Sequence, residues 1–337
     1  MIQTPIHKAR QLAVDPVLCR WLARRLIGAT VAPPPFTPHR PPYLSGPAVD
    51  AGESRPPKPW PPLAAVPPVE PITLPLPGLK LTLRPGDERG VFKRAFADVE
   101  TLLALHRFAW LPLVDDGKVK NSWAQALWSE WRQSFASGSA EQKPGWAWHP
   151  YTAAERACNL LDLAATAGLP GPVADTTRLL DRHIGAIFER LEYFGDHDTS
   201  NHLANDGRGI FRVALALGRG GWADIGARIL IEEAARILLP SGVLREGSSH
   251  YHLLIARNYA DAWLAARAYG HRAEPTLKSI AARALAVAPH LMLPGGLPLI
   301  GDVSPDCPPE FLAGLASGDT DSGWVARLAG DHRAALA

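Results

Sequence analysis

Two short runs in the second half of the chain concentrate side chains that can move protons or hold an anion. The first is Asp196, His197, Asp198, Thr199, Ser200, Asn201 and His202, set where one long helical pattern ends and another apolar one begins. The second is Arg245, Glu246, Gly247, Ser248, Ser249, His250, Tyr251 and His252, again at a loop-to-helix junction, with Asn258 and Tyr259 one or two turns later. An amide can donate to a carboxylate, a phenol can give or take a proton, and histidine titrates closest to neutral pH. Each run also has a purely structural reading. Ser200 or Asn201 can cap a helix, a contribution of about 1 kcal/mol, and Ser248 can cap the second. Tyr251 can bury its ring, and His252 can satisfy a core carbonyl. A metal site built from His250 and His252 with His197 or His202 is geometrically poor, because residues two apart on a helix face different ways. No metal and no cofactor is expected.

A third concentration is aromatic. Trp146, Trp148, His149 and Tyr151 precede a helical segment that carries Arg156. Flat apolar faces with polar edges suit sugar rings, and a guanidinium suits a sugar acid; core packing is the rival explanation.

The elements that must position these residues are helical. From about residue 90 the chain becomes long Ala-, Leu- and Arg-rich segments separated by short Gly, Pro or Asp breaks, the pattern of stacked helical hairpins. The periodicity predicts helices over 91 to 112, 120 to 136, 151 to 167, 174 to 194, 203 to 217, 221 to 239, 250 to 269 and 274 to 292. Gly218, Gly220 and Gly221 read as a chain reversal, and Leu293 to Val303 as a loop with one short extended piece at most. No alternating strand pattern marks this half, and neither a Walker A loop nor a GxGxxG follows a strand, so nucleotide binding has no support.

Nineteen of the 33 prolines fall in the first 80 residues, most of them between Pro33 and Pro77, where they break helix and predict an extended strap. Before it, residues 10 to 28 form a basic amphipathic pattern with Val17, Leu18, Trp21, Leu22 and Leu26 on one side; docking onto the helical body is favoured over contact with a membrane surface. The organisation expected is an N-terminal helix over 1–32, a strap over 33–89, the helical domain over 90–306 and a short tail over 307–337.

Thirty-five Lys and Arg against 33 Asp and Glu leave a net charge of +2, too little concentrated basic excess for a nucleic-acid binder but compatible with a local basic cleft. Cys19, Cys158 and Cys307 are far apart and lack a CxxC spacing, so neither a disulfide framework nor a zinc ribbon is expected. Arg20, Arg24 and Arg25 interrupt the apolar stretch near the N-terminus, which favours a cytoplasmic over a periplasmic location, and no run of 18 apolar residues suggests a membrane span.

The ordered set SNHLANDGRGI at 200 to 210, SGVLREGSSHYHLLIARNY at 241 to 259 and LPLIGDVSPD at 297 to 306 resembles the signatures of the heparinase II/III and alginate-lyase-like toroid family. LHRFAWL at 105 to 111 and WHPYTAAERACNLL at 148 to 161 also look like segments of that family, so the resemblance covers roughly residues 90 to 306. It implies an all-α fold, an incomplete (α/α) toroid, acting on an acidic polysaccharide. The implied reaction is β-elimination: the C5 proton of a uronic acid is removed and the 4-linked sugar expelled. It also implies Asn201 as the neutraliser of the substrate carboxylate, His202 as base or tuner, and Tyr251 as the acid or base at the glycosidic oxygen. Trp148, His149, Tyr151, Arg156, Arg245, Glu246 and His252 are the expected substrate contacts. The residue types suit that chemistry independently, because a donor aimed at the carboxylate stabilises charge where it develops, and a phenol of reference pKa about 10 is protonated at neutral pH.

The sequence departs from the family in one respect. Members typically continue into a large β-sandwich domain that supplies a further catalytic histidine, whereas the tail after Asp306, with Phe311, Leu312, Trp324 and Leu328, reads as one or two short helical pieces. Three expectations stay open: a toroid sufficient by itself, a separate protein supplying the β-sandwich, or a non-catalytic glycan-binding or scaffold subunit beside exopolysaccharide synthesis.

Overall fold

The computed structural model describes residues 16–28, 40–44, 60–136, 145–195, 201–304 and 306–312. Nine α-helices stand among them: α1 (Pro16–Leu26), α2 (Val99–Arg107), α3 (Gly117–Phe135), α4 (Pro150–Thr166), α5 (Val173–Phe188), α6 (Asn201–Leu217), α7 (Gly220–Ile237), α8 (Ser249–Tyr269) and α9 (Glu274–Leu291). All eight helical segments expected after residue 90 are present. The first is shorter than its periodicity suggested, because Asp98 accepts from the Glu100 amide and restarts the chain, while Phe108 in the left-handed region (φ 54) ends it. Within α1, Leu26 stands exposed. The side chains of Val17, Leu18 and Trp21, residues 10–15 and the tail beyond 312 lie outside the described residues.

The helices form two layers. α2, α4, α6 and α8 touch one another in succession, and α5, α7 and α9 each return along the outside of the helix before them. The inner members α4 and α6 are buried on nearly every face, while α5 and α9 bury a single stripe. This alternation of inner and outer helices is an arc of an (α/α) toroid.

Helix α6 is the tightest point of the arc. A Cβ on Gly207 would stand 2.6 Å from the Ile229 side chain of α7, one on Gly209 2.6 Å from Ala154 of α4, and one on Gly226 of α7 2.6 Å from the Phe211 backbone. Between these glycines Arg208, fully buried, donates to Glu155 of α4 at 2.8 Å and Asp261 of α8 at 2.7 Å. One turn on, Arg212 shares Asp261 and adds Asp162 of α4.

Of the strap, the described residues 40–44 include a 3-10 turn (Pro42–Leu44), residues 60–71 form neither helix nor named strand, and an antiparallel hairpin follows that the proline count concealed: β1 (Ile72–Leu76) pairs with β2 (Leu79–Leu83). Alternate residues Ile72, Leu74 and Leu76 are buried, and Pro75 sits at a position facing outward between them. Upstream, Pro61 and Leu63 bond the Leu169 backbone in the α4–α5 loop at 2.9 Å each, an approach that Gly168 (φ 123) permits.

Packing at Gly209 sets a test of the arc. Gly209→Ala forces α4 and α6 apart and costs about 1–3 kcal/mol, seen as a lower thermal midpoint. Gly185→Ala, in α5 with nothing within 4 Å of the added carbon, should instead raise stability by up to about 1 kcal/mol.

Candidate functional site

Three of the inner helices start at one place. α4 begins at Pro150, whose missing N–H is no loss in the first turn. α6 begins at Asn201, and α8 at Ser249, where Ser248 caps by accepting the Tyr251 amide at 3.0 Å. The residues at these three starts meet. The Tyr151 ring lies 4.8 Å from the His202 ring, His149 is edge-on to His202 at 6.4 Å, and the Asn201 amide donates to Glu246 at 3.4 Å. The positive ends of three helix dipoles therefore converge beside an amide, two imidazoles and a phenol, a field that favours a bound anion.

A carboxylate absent from the expected set organises the histidines. Glu192, 7% exposed, receives His202 Nδ1 at 2.9 Å and His149 Nε2 at 3.5 Å on the same oxygen, Oε1. Burial alone would raise its carboxyl, but the hydrogen bond and charge of His202, with His149 behind it, hold it below the usual range. Its backbone N–H donates to Asp206 at 3.3 Å. Asp206 is fully buried, and burial followed by the nearby Glu192 charge pushes its carboxyl well above the usual range. Burial keeps His149 below the ordinary imidazole value despite the pull of Glu192.

The opposite side carries Glu246 and Tyr251. Glu246 is exposed; burial of its carboxyl group, then Asp302, raises its pKa against the opposing Asn201 bond. Asn201 Oδ1 is buried with no partner among the described residues, so the amide presents its nitrogen to the carboxylate, the orientation that acceptor demands. Tyr251 is half-buried and packs edge-on against His250 at 6.0 Å. Burial, Asp302 and Glu246 push its phenol up to about 12. The floor is Tyr151, with the Arg107 guanidinium 4.8 Å from its ring centre. Arg107 is fixed by Asp306 at 2.6 Å and Glu100 at 3.3 Å.

Asn201, His202, His149, Tyr151, Glu246 and Tyr251 thus share one neighbourhood, with Arg245 half-buried beside Glu246 and its backbone N–H on Ile237. Three expected contacts lie elsewhere. Arg156 is fully buried, with Nε on His183 at 3.0 Å, Nη1 on the carbonyls of His106 and Ala147, and the Trp131 ring 4.0 Å away, so it is a core residue that cannot meet a surface ligand. His252 is also core: it accepts from the Leu244 amide at 3.1 Å and donates to the Ala284 carbonyl at 2.9 Å. Trp148 is half-buried in the same aromatic stack, 4.8 Å from His183, with its N–H on the Phe135 carbonyl. Of that cluster, Trp146 is the member that stands 50% exposed. The run from Asp196 to Ser200 lies outside the described residues. Among the described residues no group of three His, Cys, Asp or Glu side chains is arranged to hold a metal ion, and no helix is long and apolar enough to cross a membrane.

No protein-family model matches the sequence, and no curated protein matches it. Solved structures do. A heparinase III gene product is 17% identical, covering 71% of this chain and 43% of its own, with a TM-score of 0.45. The same product with methylated lysines is 16% identical over 71% of this chain and 42% of its own, with a TM-score of 0.42. Another heparinase III is 18% identical, covering 60% of this chain and 33% of its own, with a TM-score of 0.46. The chain spans less than half the length of each.

The buried histidines set the acid stability. Burial holds His149, His183, His250 and His252 below 6.5, and burial with the Arg156 charge takes His106 to about 3. A folded value below the unfolded one gives stability that is present above the unfolded value and lost as pH falls beneath it. Asp206, raised, acts with the opposite sign. Among the described residues six histidines shift this way, His271 included, against two raised acids, Asp206 and Glu246, so the thermal midpoint should fall between pH 7.5 and pH 5. A flat or rising midpoint over that interval would show that these imidazoles are not held neutral.

Proposed function

We propose that this chain is a polysaccharide lyase that cleaves a uronic-acid-containing acidic glycan by β-elimination. What supports the reading is the grouping at the starts of α4, α6 and α8: the Asn201 amide on Glu246, the His202 ring against Tyr151, and the Tyr251 phenol near enough to Glu246 and Tyr151 to interact with them electrostatically. A C5 proton beside a carboxylate is released only if the charge that accumulates on that carboxylate is stabilised. The Asn201 N–H, already directed at the Glu246 carboxylate, is the donor type such a group needs, and removing one donor of this kind typically costs about 10²–10³-fold in rate.

The roles divide by acidity. A phenol pushed up to about 12 stays protonated through the physiological range, which suits Tyr251 to donate a proton and not to abstract one. His202, with its Nδ1 committed to Glu192, offers Nε2 as the base. In the step proposed, the C5 proton passes to His202 Nε2 and the C5–H electron pair becomes the C4=C5 double bond. The C4–O4 bond breaks with its electrons on the leaving oxygen, which takes the Tyr251 proton. The imidazolium and phenolate that remain re-equilibrate through solvent, and no water is consumed. Tyr151, His149, Arg245 and Glu246 line the sugar, and the exposed Trp146 ring extends the contact surface outward.

Incubation with a panel of uronate polymers should raise ultraviolet absorbance as the unsaturated product forms. Tyr251→Phe should lower that rate by about 10²-fold or more and Asn201→Ala comparably. Activity should persist on the alkaline side to about pH 10, because the acid form of Tyr251 is lost only as pH rises through its raised value. Loss of activity near pH 8 to 9 would remove Tyr251 from the donor role, and glycan binding without absorbance change would make the chain a binding subunit.

A further inference from the structure

Glu192 stands apart from every motif in the sequence, yet its geometry is the most constrained at the site. It follows α5 in the segment Leu191–Tyr193, is buried, and places a single oxygen, Oε1, against two imidazoles of two different helix starts, His202 at 2.9 Å and His149 at 3.5 Å. Its second oxygen, Oε2, is buried with no partner among the described residues. An ionised carboxylate only accepts hydrogen bonds. A neutral His202 can therefore satisfy the contact in one tautomer, with the proton on Nδ1 and the lone pair on Nε2. The ring cannot rotate away cheaply, because Tyr151 packs on it at 4.8 Å and His149 stands edge-on at 6.4 Å. The carboxylate is itself anchored through its backbone, whose N–H donates to the buried Asp206.

We infer that Glu192 is the positioning residue of this site: it fixes His202 as the Nδ1–H tautomer and so makes Nε2 the ring nitrogen that carries the lone pair. The structural part stands on the geometry around Glu192 alone; the kinetic part rests on the eliminative reading above. The logic is that of any base oriented by an acid that does not itself transfer the proton, where a neutral replacement keeps the shape and loses the tautomer.

The test begins with the unaltered protein. Nitrogen-15 histidine spectra at pH 8, where an ordinary imidazole is neutral, should show His202 protonated at Nδ1 and bare at Nε2. The opposite tautomer overturns the inference without any variant being made. Glu192→Gln, whose amide can donate as well as accept, should redistribute His202 between tautomers and lower kcat on the active polymer by about 10²-fold with KM held within a few-fold. Unchanged tautomer and kcat in that folded variant would overturn it too. If no uronate polymer is cleaved, the lyase reading fails, and the tautomer result still decides the role of Glu192.

Discussion

A single buried cation sets the register of the inner layer. Arg208 has no access to water, so its charge is tolerable only if carboxylates meet it inside the protein, and they come from both sides: Glu155 on α4 and Asp261 on α8. The pairs fix how far α4 and α8 slide along α6. Gly207 and Gly209 flank the arginine: Gly209 lets α4 approach closely enough for the Glu155 pair to form, and Gly207 lets α7 pack behind. Once the register is fixed, the starts of α4, α6 and α8 are brought level, and the side chains preceding or opening each helix, His149 and Tyr151, Asn201 and His202, Glu246 and Tyr251, have no choice but to share a space.

The same economy ties the loop after α9 to that space. Ser248 donates to the Asp302 carbonyl, Ser249 donates to Pro298 and accepts from Ile300, and His250 accepts from the Ser304 amide while its other nitrogen donates to the Cys307 carbonyl. Asp306 then reaches back to Arg107 at the end of α2. Three of the sequence segments that stood out, 105–111, 241–259 and 297–306, are therefore hydrogen-bonded partners of one another. Much of what makes the second polar run conspicuous is scaffolding, with Ser248, Ser249, His250 and His252 all committed to backbone groups and Tyr251 half-buried against His250.

What could be read from the sequence follows from how local each signal is. Helix positions were legible because apolar periodicity and Gly or Pro breaks are local, and the helix starts were legible because capping residues and chemistry-bearing residues both collect there. Arg156 and His252 were misassigned because a polar residue within an aromatic or histidine-rich run looks the same whether it faces solvent or a core carbonyl; burial is decided by which helix packs on top. The hairpin of β1 and β2 was hidden because Pro75, at an outward position in a two-stranded sheet, costs no ladder bond that the fold needs. Glu192 gave no signal at all. Its partners lie in two other segments, and only folding shows that one carboxylate oxygen serves both His149 and His202.

The charge arrangement also explains why two acids so close together can coexist in a buried place. Glu192 and Asp206 cannot both be ionised cheaply in a low-dielectric setting. The two imidazoles stabilise the charge on Glu192, whereas the most deeply buried acid, Asp206, with Glu192 as its neighbour, is pushed toward its neutral form. The negative charge is thus held on the acid that touches the histidines. The three helix starts add a positive background on the side where the exposed Glu246 carboxylate takes up the Asn201 amide.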